Sequence, residues 1–490
     1  MNDQNLPDAR ALPATIDVAV IGGGIAGLGT AYYLQQATQD NPHPPTVIVF
    51  ERDARSGGKI VTDRPDGFVI EGGPDAFITQ KPEAYELCRA LGLSARLIGT
   101  NDARRKVYVL ARGRLHPLPE GVRLVAPTRL GPFLRSSLIS PLGKLRMGLD
   151  LLLPGRPVPG DESLAAFVRR RLGREALDKL GEPMLAGIHV GDPARLSLQA
   201  TFPQLAELER RHGSLIRGTR ARRPAPPEPG GPATMFLALR AGMADLPAAL
   251  AAHLGPAVVR TGVEVVRMVR TGSGADAAYS LHLSSGEQVT ARQVVIATPA
   301  PIAAGLVAAT APDLAAALGA IRYVSSTTIS LGYRAADLPR PLDGFGFVVA
   351  AHERTRLLAC TWTSTKFDAR APQDHVLLRA FVGGAHHEEL VDLPDAELLT
   401  LVREELRAIM GITAPPVVSR IFRWPKANPQ YDVGHLERVA RIESLAAALP
   451  GLYLTGSAYR GVGIPDCVRA ARATATRVAA ALGTTATVEV

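Results

Sequence analysis

The stretch that most constrains this chain is Asp17 to Gly27, DVAVIGGGIAG, taken together with Glu51. Apart from Asp17, residues 16–21 are apolar and mostly β-branched, the pattern of a strand buried on both faces. Gly22, Gly24 and Gly27 then fit G-x-G-x-x-G, and LGTAYYLQQ continues as a helix. The first glycine permits a tight turn, the second admits a pyrophosphate to the backbone, and the third lets helix pack on strand. Gly22, Gly23, Gly24, Ile25, Ala26 and Gly27 thus turn the free N–H groups and positive dipole end of a helix toward a phosphate. TVIVFE follows as a second strand. Glu51 at its end can accept from both hydroxyls of an adenosine ribose. It stands 24 residues after Gly27, against a usual spacing of about 20, and the insert NPHPP (41–45) accounts for the excess. The plain alternative is a glycine-rich turn in some other α/β fold.

Beyond Glu51, RDARSGGKI (52–60) places Gly57 and Gly58 against a cofactor longer than its adenosine half. DGFVIEGGPDAF (66–77) gives a short strand and a Gly-Gly-Pro turn, either an ordinary turn or a second backbone contact to that cofactor. At the far end, RGVGIPD (460–466) feeds a helix whose free N–H groups stabilise negative charge. A reduced flavin carries charge near N1 and C2=O, so this terminus suits the pyrimidine end of an isoalloxazine; a simple helix start is the alternative. Pro465 fits the first turn of such a helix.

A length of 490 residues implies two or more domains, on the usual size of about 100–200 residues each. Net charge is +9, which points toward an acidic substrate or a membrane surface. Nucleic acid is disfavoured, because no basic run is interleaved with aromatics, which make up 5% of the chain. A genome that favours arginine explains the same balance. Cys88, Cys360 and Cys467 are scattered and form no CxxC, so neither a disulfide framework nor a metal site is expected. This and the acid-bearing, non-apolar start fit a cytoplasmic protein. The longest uncharged run, 294–312, holds three prolines and reads as strand, turn and helix rather than a membrane span.

Residues 127–210 are helical in pattern. PTRLGPFLRSSLISPLGKLRMGLDLLL sets Arg129, Arg135, Lys144 and Arg146 beside leucines, as in a soluble helical cap or a membrane-surface helix pair. Residues 217–234 are Arg-, Pro- and Gly-rich and read as a mobile loop. FLALRAGMADLPAALAAHL (236–254) reads as a helix, and 320–435 as a strand-rich second sheet. The expected fold is α/β: a Rossmann-type, doubly wound FAD-binding domain, a mixed-sheet substrate domain and a helical insertion. The expected segments are 14–95, 216–300 and 441–490 for the FAD domain, 96–215 for the helical, substrate-side insertion, and 301–440 for the substrate sheet.

Taken together, GGGIAG, ERDARSGGKI, EGGPDAF, residues 181–216, FRWPKANPQYDVGH and TGSAYRGVGIPDC resemble the oxygen-dependent porphyrinogen oxidases of haem biosynthesis. The likeness spans nearly the whole chain, and its 181–216 and 457–467 stretches are the most family-specific. ACTWTSTKF (359–367) and GFGFVV (344–349) look most like the bacterial branch that oxidises coproporphyrinogen III. The resemblance implies FAD as cofactor, a porphyrinogen and molecular oxygen as partners, and six electrons removed in three rounds with release of hydrogen peroxide. It implies that Gly22 to Gly27 hold the pyrophosphate and Glu51 the ribose. Lys59, Gly73, Pro74, Asp75 and Ala76 would lie along the cofactor, Val265 on the adenine side, and Val462, Gly463 and Ile464 at the flavin ring. Lys81 takes a position that faces the substrate. Arg104, Arg105 and Lys106 are further candidates for the propionates, of which coproporphyrinogen has four and protoporphyrinogen two. His189, His386 and His387 are base candidates by residue type alone, and no catalytic base is assigned. Protoporphyrinogen IX oxidation, another flavin oxidase or desaturase, and a non-catalytic porphyrin carrier are the rival readings. Peripheral membrane contact and a homodimer stay open.

Overall fold

The computed structural model describes residues 12–123, 125–155, 160–221, 234–272 and 277–483. The opening strand, Thr15–Ile21, runs parallel to Val47–Glu51 on one side and to Gln288–Ile296 on the other. Val18 and Val20 enter one hydrophobic core while Ala19 and Ile21 enter another, so the strand is covered on both faces. Val259–Thr261 extends the sheet past Val47–Glu51, and Leu452–Leu454 pairs with the end of Gln288–Ile296, both in parallel. Val265–Thr271 and Ala278–Leu283 complete it with antiparallel pairings. The doubly wound domain is therefore assembled from three separated stretches of chain. Its first helix, Ile25–Thr38, packs on its last, Ile464–Ala481, so closely that a methyl on Gly29 would lie 3.2 Å from the Ala471 methyl.

The second sheet runs Val418–Pro429, Tyr323–Arg334, His375–Gly383, Leu357–Trp362, Gly344–Val349, Lys106–Ala111, Arg114–Pro117. It is mixed, since Gly344–Val349 lies parallel to Lys106–Ala111 and antiparallel to Leu357–Trp362. The segment 96–215 thus gives two strands to this sheet before it turns helical. Its helices include Leu130–Arg135, Pro141–Gly148, Leu164–Leu172 and Pro203–His212. Leu177–Ala186 winds in wide π-type turns around Pro183, whose missing N–H cannot complete an α-helical ladder.

Two expectations need correction. Residues 236–254 are not one helix: Phe236–Leu239 is a strand between Phe77–Ile78 and Leu97–Gly99, and the helix begins at Asp245. Leu237, Ala238 and Leu239 are buried, and Gly242, at φ +113°, turns the chain between strand and helix. Of the loop expected over 217–234, Arg217 to Ala221 belong to the helix Leu215–Ala221, while 222–233 lies outside the described residues. All three cysteines are free and buried. Among the described residues no helix is long and apolar enough to cross a membrane.

Candidate functional site

Gly22, at φ +108°, breaks the opening strand into the helix. A methyl on Gly27 would sit 1.9 Å from the Gly22 carbonyl oxygen, so first and last glycines touch backbone to backbone. A methyl on Gly24 would meet nothing within 4 Å. Open space therefore faces the helix start, the room that the motif's middle glycine needs if it is to admit a pyrophosphate. The first turn carries no acidic side chain to oppose an anion. Glu51 is buried; its Oε2 accepts from the Gly23 N–H at 2.8 Å and its Oε1 from the Asp53 N–H at 2.9 Å. The Val263 N–H donates to the Glu51 carbonyl at 2.9 Å, which brings the start of the Val265 strand to the same end.

The other glycine-bearing segments expected along the cofactor converge here. The Gly57 N–H donates to the Gly23 carbonyl at 2.7 Å, and Gly58 lies beside Gly24. A methyl on Gly73 would fall 1.8 Å from the Lys59 carbonyl oxygen, so RSGGK and EGGPDAF run in backbone contact. The Gly72 carbonyl accepts from Thr328 Oγ1 (3.0 Å), Arg379 Nη2 (3.0 Å) and Trp424 Nε1 (2.9 Å), side chains of three adjacent strands of the second sheet. Pro74, Asp75 and Ala76 follow directly from this clamp. Just after Trp424 the strand Val418–Pro429 bulges: Ser326 faces Trp424 but Val324 faces Asn428. Within the bulge, the Ala427 carbonyl accepts from the Lys59 ammonium. Val462 and Gly463 lead into the final helix, with Gly463 at its cap and Ile464 as its first residue. Lys81 comes to this end through Asp466, to whose two oxygens it donates at 2.7 Å.

Burial pushes the Asp75 carboxyl up, but Lys366 at 2.8 Å, with Arg379 and Arg370 beyond it, outweighs burial and leaves it below the usual carboxylate value. At Glu71 burial wins, and its carboxyl is raised. Burial also holds the Lys59 ammonium below the usual lysine value. Arg104 and Arg105 are exposed, and Lys106 pairs with Asp343 at 2.8 Å in solvent. His386 faces Glu182 at 3.7 Å and His387 faces Glu389 at 3.3 Å. His189 is buried beside Phe202 and Tyr431.

Burial pushes both His189 and His435, which is buried as well, from 6.5 down to about 4. Unfolded chains take up these protons near 6.5, whereas the fold refuses them until near 4. The contribution is therefore complete above 6.5 and is lost as pH falls toward 4, by roughly 3 kcal/mol per ring at most. Urea midpoints should drop steadily between those two pH values. His189→Gln should flatten that drop, and a midpoint indifferent to pH would contradict burial of neutral rings.

Residues 25–479 match the model of the flavin containing amine oxidoreductases. The chain belongs to this family. It is an oxidoreductase with FAD as its cofactor. Within the family it groups with the porphyrinogen oxidases. Coproporphyrinogen III oxidase of Bacillus subtilis is 37% identical over 460 residues, which cover 92% of this chain and 95% of that one. The chloroplastic protoporphyrinogen oxidase of Oryza sativa is 31% identical over 499 residues, covering 96% and 90%. A crystal structure of an Exiguobacterium protein, provisionally assigned as a protoporphyrinogen oxidase, superposes with a TM-score of 0.83 at 33% identity and covers 96% of this chain and all of that one.

The chain has the donors and the room that FAD requires: the open approach at Gly24, the helix N-termini, and the half-buried Lys59 ammonium, which donates to a carbonyl rather than a carboxylate. Sequence reasoning missed Thr328, Lys366, Arg379, Trp424, Tyr431, His435 and Asp466. Thr328 and Arg379 have no local signature, whereas Lys366 lies in ACTWTSTKF and Asp466 in RGVGIPD. Trp424, Tyr431 and His435 sit in FRWPKANPQYDVGH, a motif used for resemblance without a physical role.

Proposed function

We propose that this chain oxidises a porphyrinogen to the porphyrin with molecular oxygen, and that coproporphyrinogen III is its preferred substrate. The reading is supported above all by the end-to-end likeness to the Bacillus subtilis coproporphyrinogen III oxidase. When bound, FAD supplies a hydride acceptor that oxygen can reoxidise to give hydrogen peroxide. The chain's own contribution is placement, since a bridge carbon must lie near 3–3.5 Å from its acceptor. Gly22 to Gly27, Glu51, Gly57 to Lys59 and Gly73 to Ala76 fix the cofactor, and Val462 to Ile464 seat its ring. Lys81, Arg104, Arg105 and Lys106 serve the propionates, Lys81 by exchanging Asp466 for a substrate carboxylate. Purified enzyme should develop porphyrin fluorescence in air with coproporphyrinogen III at a higher kcat/KM than with protoporphyrinogen IX. The reverse order selects the protoporphyrinogen reading, and tight porphyrin binding without turnover selects a carrier.

The helical segment favours peripheral contact with a lipid surface. Leu130, Leu134, Leu142, Leu145, Leu149 and Leu152 are each 42–79% exposed, and the last four recur at helical spacing on one face. Arg129 and Arg135 flank them in solvent. The intact chain should float with anionic vesicles, and Leu142→Glu/Leu145→Glu/Leu152→Glu should not. An intact chain that ignores vesicles but elutes as a dimer would assign this face to a second copy.

A further inference from the structure

We propose that Tyr431 and His435 are positioning residues: they set the loop 457–463 and thereby how tightly the flavin is held and how readily it is reduced. This rests on the reading that Val462 to Ile464 seat the flavin ring. The Tyr431 hydroxyl donates to the Ser457 carbonyl at 2.8 Å and accepts from the Gly461 N–H at 2.8 Å, so both of its capacities are spent on the loop. His435 Nε2 lies 2.9 Å from the Tyr459 carbonyl. A carbonyl only accepts, so the proton sits on Nε2. The rings of Tyr431 and His435 stack at 3.9 Å between centroids and 14° between planes, and both side chains are buried. One rigid two-ring platform therefore ties residues 457, 459 and 461, alternate positions of a loop that lies between the strand Leu452–Leu454 and the final helix.

The platform is anchored on two sides. The Tyr431 carbonyl accepts from the Ser197 N–H of the helical insertion at 2.7 Å. Next to it, Asp432 pairs with Arg322 at 2.9 Å and with Arg195 at 3.2 Å. The loop has little freedom to choose another path: Gly461 sits at φ +144°, and a methyl there would lie 2.4 Å from the Asp466 carboxyl carbon. Stabilisation of charge on a reduced ring depends on amides already aimed at it. A loop released by an ångström loses that aim while the rest of the fold stands.

Tyr431→Phe preserves the stack and removes only the hydroxyl. FAD should bind about tenfold more weakly, the midpoint potential of bound flavin should become more negative, and kcat should fall with KM for porphyrinogen unchanged. FAD-free Tyr431→Phe should melt like the FAD-free parent, which a merely structural role would not give. His435→Gln, which keeps an N–H donor, should fall between parent and His435→Phe. Parental FAD affinity and potential in Tyr431→Phe would overturn the inference. Should Tyr431→Phe fail to fold, identical potentials in His435→Gln and His435→Phe would overturn it equally. A parent enzyme that binds no FAD sinks the reading of the site itself, which distinguishes the two failures.

Discussion

Gly24→Ala should yield a protein that folds and melts as the parent does without cofactor, yet purifies nearly colourless. The added methyl meets no atom of the chain within 4 Å, so the fold has no reason to object. On the proposed reading, that same space receives the diphosphate at the helix start. Overfilling a close contact costs roughly 1–3 kcal/mol, which is about a fivefold to 150-fold loss of FAD affinity. Gly27→Ala and Gly73→Ala are the contrasting cases. Their methyls would fall 1.9 Å from the Gly22 carbonyl and 1.8 Å from the Lys59 carbonyl, both main-chain atoms that no rotamer can move. Those two variants should lose stability in the FAD-free state as well. Differential scanning calorimetry of the three apoproteins, with FAD titrations beside it, separates the cases. Parental FAD affinity in Gly24→Ala would mean that the middle glycine does not face the cofactor.

That contrast also marks what a sequence can disclose. The Gly22–Gly27 motif is legible because its glycines answer to geometry within six residues: a turn, an approach and a packing contact. Glu51 is legible because strand and helix lengths fix its distance from the motif. The second sheet is legible because its strands carry long apolar, β-branched runs. Partners that are remote in sequence were not readable. Lys81 finds Asp466 across 385 residues, and the Gly72 carbonyl gathers donors from 256 to 352 residues away. Residues 236–239 look like the first turn of the helix that follows them, and only Phe77–Ile78 and Leu97–Gly99, folded to either side, make them a strand. The bulge at Trp424 is invisible for the same reason: it is defined against Val324 and Ser326 on the facing strand. Local chemistry therefore announced one end of the site, while the clamp that holds its middle came from tertiary pairing.

The helical insertion, too, depends on a contact that local pattern hides. Arg171→Met should cost about 3–5 kcal/mol, the usual penalty for stranding a buried charge. Arg171 and Asp150 are both fully buried, with Nε of one 2.6 Å from Oδ1 of the other. The rest of the guanidinium donates to the carbonyls of Asp150 (2.8 Å), Pro154 (2.9 Å), Leu153 (3.2 Å) and Gly213 (2.7 Å). Asp150 in turn accepts from the Ser214 hydroxyl at 2.6 Å and the Ile216 N–H at 2.9 Å. One arginine thus joins the segment after Pro141–Gly148, the end of Leu164–Leu172 and the turn before Leu215–Ala221. Lysine cannot replace a planar fork that feeds this many acceptors, so Arg171→Lys should lose nearly as much. Arg171→Met/Asp150→Asn should lose less than the two single changes summed, because the stranded charge has gone. The damage should stay in the insertion: amide exchange should quicken over 141–216 while the FAD domain keeps its protection and its colour. Since the exposed leucines ride on this same unit, Arg171→Met should also weaken vesicle flotation. A loss under about 1 kcal/mol in urea unfolding would mean that water, rather than Arg171, compensates Asp150.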